Sequence, residues 1–353
     1  MSEINVGIVG YGLAGKVFHG MLVKHTPGLR VHSIVTSNPE RRAEAAKDFP
    51  DANVVRTYEE MLADADVDLV VLGTPHHTHK ELTLQACAAG KHVVVDKIMA
   101  LSVAEADAMI AAAREAGVLL SVFHNRRWDS DYLTVRRVLE QGLIGEPYVV
   151  ESSVVTPPRR RSFTPHTELR WRLQARYGGG PFRDWGAHLM DQAVQLFGTA
   201  VETVYADFQF RIPEADVETA ALCHLRFPSG VRYRVEVGAI SYIPRPRWYV
   251  RGSEGALVIE GLDPQENALK QGEVIGGTDR ARMPAGSVRL ITARGEHAVD
   301  VVAGDYTQYY ANIAAALRGE APLAVPPEGV RDVLRVMEAA IESAAIQETV
   351  HFE

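Results

Sequence analysis

Cysteine is nearly absent from this sequence: Cys87 and Cys223, far apart, are the only two in 353 residues. That scarcity excludes a disulfide framework and a cysteine-rich zinc cluster. Long apolar runs are missing as well, and none approaches the roughly 20 residues that a membrane-spanning helix needs. No charged-then-apolar leader opens the chain, so a soluble, cytoplasmic protein is expected. An excess of positive charge is the third absence. The formal net charge is −8, which speaks against nucleic acid as a partner. No internal repeat or low-complexity tract is visible. What is left is a length suited to about two globular domains.

The amino-terminal segment carries the first positive signal. Ile4–Val9 is a short run rich in β-branched residues, and Gly10-Tyr11-Gly12-Leu13-Ala14-Gly15 follows it directly. Val17, Phe18, Met21 and Leu22 then recur at helical spacing. Strand, Gly-x-Gly-x-x-Gly and helix is the order a dinucleotide-binding turn requires. Gly10 permits the tight turn, Gly12 lets a pyrophosphate approach the backbone, and Gly15 lets helix and strand pack closely. The N–H groups and dipole at the helix start hold phosphate charge.

The second strand bears on which dinucleotide is bound. An NAD site usually ends this strand with a carboxylate for the ribose 2′-hydroxyl, whereas an NADP site offers hydroxyl and arginine donors to a 2′-phosphate. After the strand Leu29-Arg30-Val31-His32-Ser33-Ile34-Val35 come Thr36 and Ser37, then Arg41 and Arg42. No carboxylate stands at the strand end. NADP is therefore expected, with NAD as the alternative.

Strands and helices alternate through the first third of the chain. Helical patterns from about Arg41 to Lys47 and Lys80 to Ala89 separate apolar runs at Val67–Leu72 and His92–Val95. Ser102 stands where a cap would open a helix to about Ala116, and Val118–Phe123 reads as a further strand. This alternation predicts an α/β domain, a doubly wound parallel sheet covered on both faces. Beyond Phe123–Asn125 the style changes. Val217–Phe227 and Val231–Ala239 alternate apolar and polar residues around Pro228-Ser229-Gly230, the pattern of an antiparallel hairpin. Two helices are expected near the end, Tyr306–Leu317 and Glu328–Ile346. The division expected is a dinucleotide-binding domain over 1–123 and an α+β substrate domain with a mostly antiparallel sheet over 124–353. Ligands of open α/β sheets bind outside the carboxyl ends of the strands, so the cleft between domains is the expected active site.

Polar residues stand at those carboxyl ends, in Gly73-Thr74-Pro75-His76-His77-Thr78-His79 after one strand, Asp96-Lys97 after the next, and His124-Asn125-Arg126-Arg127-Trp128-Asp129 after the last. His76, His77 and His79 lack the i,i+4 pairing of helical zinc motifs and have no acidic neighbour, so no metal is expected. A loop lining the cofactor is the better reading. Further on, Gly178-Gly179-Gly180 leads into a helical pattern that carries Asp184, His188 and Asp191. Asp184 and His188 are four residues apart, hence on one helix face. In outline they form an acid–base unit: imidazole carries a proton near neutral pH, and the carboxylate orients it. A basic stretch, Arg159 to Arg161 with Arg170, Arg172 and Arg176, reads either as a solvated loop or as a flap over phosphates or a polar substrate.

These blocks together resemble the Gfo/Idh/MocA oxidoreductases, named for glucose–fructose oxidoreductase and inositol dehydrogenase. The resemblance runs nearly end to end, through Gly10–Gly15, Thr74-Pro75 with His79, Gly90 to Lys97, Arg126 to Asp129, Gly178 to Gln192 and the helix Tyr306–Leu317. The Asn125–Asp129 and Gly178–Gln192 blocks are most similar to the NADP-dependent scyllo-inositol dehydrogenase branch. The resemblance implies Lys97, Asp184 and His188 as catalytic residues, and an open-faced second sheet that forms homodimers or homotetramers. In such a site His188 takes the proton of a secondary alcohol, Asp184 orients its ring and Lys97 stabilises alkoxide character. Asp191 is a candidate for a further substrate hydroxyl. Arg126, Trp128, Trp171 and Arg172 are candidate pocket walls and donors.

One departure stands out. The family's Glu-Lys-Pro is Asp96-Lys97-Ile98 here. A cis bond before a residue other than proline is costly, so a trans loop or a redirected Lys97 is expected. The substitution also motivates a second reading, a non-catalytic NADP-sensing regulator. A third, a cofactor-assisted glycosidase, is weakened by the missing carboxylate after the second strand.

Overall fold

The structure is a computed structural model that describes residues 3–157 and 171–352. Arg159, Arg160, Arg161 and Arg170 of the basic stretch lie outside the described residues. Among the described residues no helix is long and apolar enough to cross a membrane. The chain divides into two compact units.

The first unit is built on six strands: β1 (Ile4–Val9), β2 (Leu29–Val35), β3 (Asn53–Val55), β4 (Leu69–Leu72), β5 (His92–Val95) and β6 (Leu120–Val122). They pair in the order β3-β2-β1-β4-β5-β6, every pair parallel. This is the doubly wound order whose direction reverses between β1 and β4, where a dinucleotide crevice opens. Val70, Val71, Leu72, Val93, Val94 and Val95 are wholly buried, as expected for strands covered on both faces. Ser102 caps the helix Val103–Ala116 by accepting the Glu105 N–H, and Glu105 in turn accepts the Leu101 N–H. That reciprocal arrangement fixes where the helix starts.

This unit is not one continuous stretch. It takes in residues up to Asn125 and then Gln265–Gly276 and Asp305–Arg331, so the single boundary read near Phe123–Asn125 is incomplete. The returning segments close the core beside β6. Tyr309 donates to Ser121 Oγ at 3.1 Å, and Ser121 Oγ donates to the Val325 carbonyl at 2.8 Å. The Tyr309 ring meets Phe123 edge-on at 5.0 Å, and His19 Nδ1 lies 2.7 Å from the Tyr310 hydroxyl.

The second unit holds nine strands: β7 (Pro147–Val155), β8 (Thr203–Gln209), β9 (Ala220–Arg226), β10 (Arg232–Gly238), β11 (Trp248–Gly252), β12 (Gly255–Ile259), β13 (Val288–Thr292), β14 (Gly295–His297) and β15 (Val350–His351). Their order is β14-β13-β12-β11-β7-β10-β9-β8-β15, and among the described residues only the β7–β10 pair is parallel. The hairpin around Pro228–Gly230 forms as expected, with Arg226 opposite Arg232. One face buries Cys223, Leu225, Tyr233, Val235, Trp248 and Val250, and the ring of Phe197 packs on Tyr233 at 6.0 Å. The other face carries a charge quartet in which Arg234 and Arg245 each pair with both Glu151 and Glu236.

Candidate active site

The glycine turn of the first unit is shaped for a phosphate. Gly10 has φ +91°, and a Cβ there would come within 2.7 Å of the Gly73 carbonyl, so only glycine fits. A Cβ on Gly15 would collide with the Gly10 carbonyl. Gly12 differs from both. Among the described residues, and apart from its own chain neighbours, the only atom within 4 Å of a Cβ placed there is the Arg41 Nη1, at 3.9 Å. The backbone of Gly12 thus borders open space, which is the cradle a pyrophosphate needs, with a guanidinium at its rim. The helix expected after the turn begins as a π-helix over Ala14–Gly20 and becomes α-helical only at Met21–Lys24. Tyr11 turns inward and donates to Asp48 at 2.8 Å, so only its backbone belongs to the turn, whereas Leu13 is exposed.

The end of β2 has no carboxylate. Thr36 is buried, Ser37 is exposed, and Asn38 caps the helix Pro39–Asp48 by accepting the Arg41 N–H at 3.0 Å. The exposed Arg41 carries its guanidinium near Gly12, while Arg42 is half-buried.

Beyond β4 and β5 two loops are tied together by His79. Its ring is fully buried, with Nδ1 2.8 Å from the Ile98 carbonyl and Nε2 3.0 Å from the Thr74 carbonyl. Burial pushes its pKa down, opposed by the Asp96 charge and by these carbonyls. His79 therefore braces the loops from within, and His76, also buried, packs against it at 5.7 Å. Thr74 and Thr78 share a 2.7 Å hydrogen bond beside Pro75. Asp96 Oδ1 accepts the Lys97 N–H at 2.8 Å, and both side chains are half-buried. The Lys97–Ile98 peptide bond is cis, in contrast to the trans loop expected of a non-proline residue. Ile98, Met99 and Ala100 behind it are buried, and Asn125 at the end of β6 is buried as well.

The glycine-led helix of the second unit also starts with π geometry, over Phe182–Gly186, before the α-helix Ala187–Phe197. Insertions of this kind recur at functional sites because they re-aim side chains within a helix. Gly178 and Gly180, with φ +74° and +100°, make the turn that feeds it. His188 is 5% exposed and meets the Trp185 ring edge-on at 6.2 Å. Asp184 is half-buried and lies 3.8 Å from the Arg172 Nε, and Arg172 covers the face of Trp171. The Arg126 guanidinium stacks on Trp185 at 4.0 Å and pairs with Asp129. The structure thus gathers Arg126, Trp171 and Arg172 around the Asp184–His188 helix, and Trp128 is half-buried nearby in sequence.

Asp191 is placed differently from a residue awaiting substrate. Arg127 donates to both of its oxygens, at 2.9 and 2.6 Å, in a buried fork. Beside it, Gln192 donates to the Arg126 carbonyl and accepts from the buried Arg247. The sequence named Arg127 only within the block after the last strand and gave it no role, and Arg247 was not singled out.

Comparison with known proteins bears on the family and the fold. Residues 4–124 match the oxidoreductase family model with the NAD-binding Rossmann fold, and residues 132–258 match the GFO/IDH/MocA C-terminal domain. The scyllo-inositol 2-dehydrogenase (NADP(+)) IolW of Bacillus subtilis is 35% identical, over 100% of this chain and 97% of its own length. The uncharacterized oxidoreductase YdgJ of Escherichia coli is 37% identical, over 97% and 96%. The solved structure of yvaA, a candidate oxidoreductase of Bacillus subtilis, superposes with a TM-score of 0.89 at 33% identity, covering 100% of this chain and 99% of that one. Two family models that together span most of the chain, and relatives that match it from end to end, leave one assignment: the protein belongs to the Gfo/Idh/MocA family of oxidoreductases.

Proposed function

We propose that the protein is an NADP-dependent dehydrogenase of a secondary alcohol on a cyclic polyol or sugar, with inositols the first substrates to test. The observation that carries this reading is the open cradle at Gly12 with Arg41 at its rim, below a strand end that bears hydroxyls and no carboxylate. Gly10 to Gly15 bind the pyrophosphate through backbone N–H groups, and Thr36, Ser37, Arg41 and Arg42 receive the 2′-phosphate. When bound, the nicotinamide supplies the acceptor for a hydride. His188 takes the hydroxyl proton, Asp184 orients its imidazole and favours the charged form, and Lys97 stabilises alkoxide character. Arg172 and Trp171, next to Asp184, are donor and wall for the ring of the substrate. Asp191 acts through Arg127 to hold the helix. The relative whose name includes both NADP and inositol supports the same choice of cofactor and substrate. The charge-bearing face of the nine-stranded sheet is the surface through which two copies associate.

The test is spectrophotometric. Purified protein is expected to bind NADPH more tightly than NADH and to reduce NADP+ with at least one member of an inositol and sugar panel. Lys97→Ala and His188→Ala are expected to lower kcat by about 100-fold or more while leaving NADPH binding intact. Absence of both binding and turnover overturns the reading. Binding without turnover, unaffected by either substitution, favours the regulator instead.

A further inference from the structure

Given the acid–base role proposed above for Asp184 and His188, we propose that Glu218 is the positioning residue that sets where their helix begins. Glu218 lies just ahead of β9, in a stretch of alternating residues where a carboxylate reads as one more solvent-facing group. It is instead 6% exposed. Its Oε1 accepts the Phe182 N–H at 2.7 Å, and Phe182 is the first residue of the π-helical turn that carries Asp184. The first N–H groups of a helix have no partner inside it, so an anion brought from another element both satisfies one and meets the positive end of the dipole. Burial pushes the Glu218 carboxyl above the ordinary carboxylate range, opposed by the Phe182 N–H and by the charge of Arg183.

The turn before the helix is built around this carboxylate. Gly180 has φ +100°, and a Cβ on it would strike both Glu218 oxygens. The absence of a side chain at Gly180 is what lets the carboxylate reach Phe182. Two residues earlier in the chain, Asp216 Oδ1 accepts the Ala175 N–H at 2.7 Å. Two carboxylates of one segment therefore clamp both sides of Gly178–Gly180: Asp216 the approach that holds Trp171 and Arg172, and Glu218 the helix itself. The Phe182 ring, fixed against Phe208 at 4.9 Å, prevents rotation about that anchor. Asp184 and His188 follow Phe182 by two and six residues on one rigid element, so a shift of the Phe182 N–H moves both. Displacements of about 1 Å in a reacting constellation cost on the order of 100-fold in rate.

The test compares Glu218→Ala with Glu218→Gln, which keeps an acceptor at Oε1. Glu218→Ala is expected to lower kcat by about 10- to 100-fold while the NADPH dissociation constant stays within about twofold, since the phosphate cradle belongs to the other unit. Glu218→Gln is expected to restore most of kcat. Amide hydrogen exchange over residues 180–188 reads the placement without reference to turnover: it accelerates in Glu218→Ala and returns towards the wild-type rate in Glu218→Gln. Unchanged exchange in Glu218→Ala overturns the proposal. So does a Glu218→Gln variant as impaired as Glu218→Ala with an equal fall in Tm, which marks general structural loss. A wild-type protein without any turnover sinks the dehydrogenase reading alone, and the exchange comparison still decides whether Glu218 sets the helix.

Discussion

Arg127 closes a two-pronged grip on Asp191, with both carboxylate oxygens engaged and both side chains nearly removed from solvent. A buried ion pair of this kind is costly to break from one side, because the survivor keeps its charge without its partner. Arg127→Met is therefore expected to destabilise the fold by about 3–5 kcal/mol. The double variant Arg127→Met with Asp191→Leu is expected to recover much of that loss. Urea unfolding curves for the two variants and the wild type check this, and additive losses would show that the pair contributes no coupling.

Gly12 and Gly15 separate binding from folding. Gly15→Ala drives a methyl group into the Gly10 backbone carbonyl, which cannot yield, so the variant is expected to lose stability and cofactor together. Gly12→Ala meets only the end of Arg41, so its Tm is expected to match the wild type. Its methyl group occupies the space proposed for the pyrophosphate, and NADPH affinity is expected to fall at least about 10-fold, the equivalent of one charge-assisted hydrogen bond. Calorimetric titration beside a thermal melt distinguishes the two. Retained affinity in Gly12→Ala would remove the cradle from consideration.

Arg41 is expected to discriminate between cofactors. Replacing it with Ala removes a cation from the rim of the cradle and from the end of β2. NADPH binding should weaken by about 10- to 100-fold, while NADH binding changes little. Equal losses for both would place Arg41 on the shared pyrophosphate instead.

His19 makes stability depend on pH. Burial holds its pKa down, from the ordinary 6.5 to about 4, so the folded chain keeps the ring neutral where the unfolded chain protonates it. The unfolded state then binds more protons, and stability present above pH 6.5 is lost as pH falls towards 4. For this group alone the loss amounts to about 3 kcal/mol. His19→Asn, which keeps an acceptor for the Tyr310 hydroxyl, is expected to flatten that part of the stability profile. An unchanged profile would assign the dependence to other histidines, of which His79, His92 and His224 are also pushed down by burial.

Much of this was legible in the sequence. The strand–glycine–helix order, most of the alternation up to β6 and the hairpin at Pro228–Gly230 depend on local backbone chemistry and appear where they were expected, whereas the three-residue edge strand β3 is too short to show a pattern. The two π-helical starts were not legible, because a segment of five to seven residues is too short for the spacing of its apolar side chains to tell a period of 3.6 from a wider one. Asp191 shows a different limit. Spacing puts it on the helix face with His188, but whether a carboxylate there meets a ligand or an arginine depends on Arg127, which reaches it from 64 residues away. Glu218 was hidden for the same reason, since a polar residue ahead of a strand has the same signature whether it faces water or a helix end.

The returning segments of the first unit have a practical corollary. A fragment ending at Asn125 would carry every proposed cofactor contact, yet it would expose Phe123, Ser121 and His19, whose partners Tyr309, Val325 and Tyr310 come far later in the chain, the last of them 291 residues after His19. The dinucleotide fold is thus not a detachable module. It is completed only after the other unit has been almost wholly synthesised, and a chimera that exchanges cofactor preference must carry Gln265–Gly276 and Asp305–Arg331 along with the glycine turn.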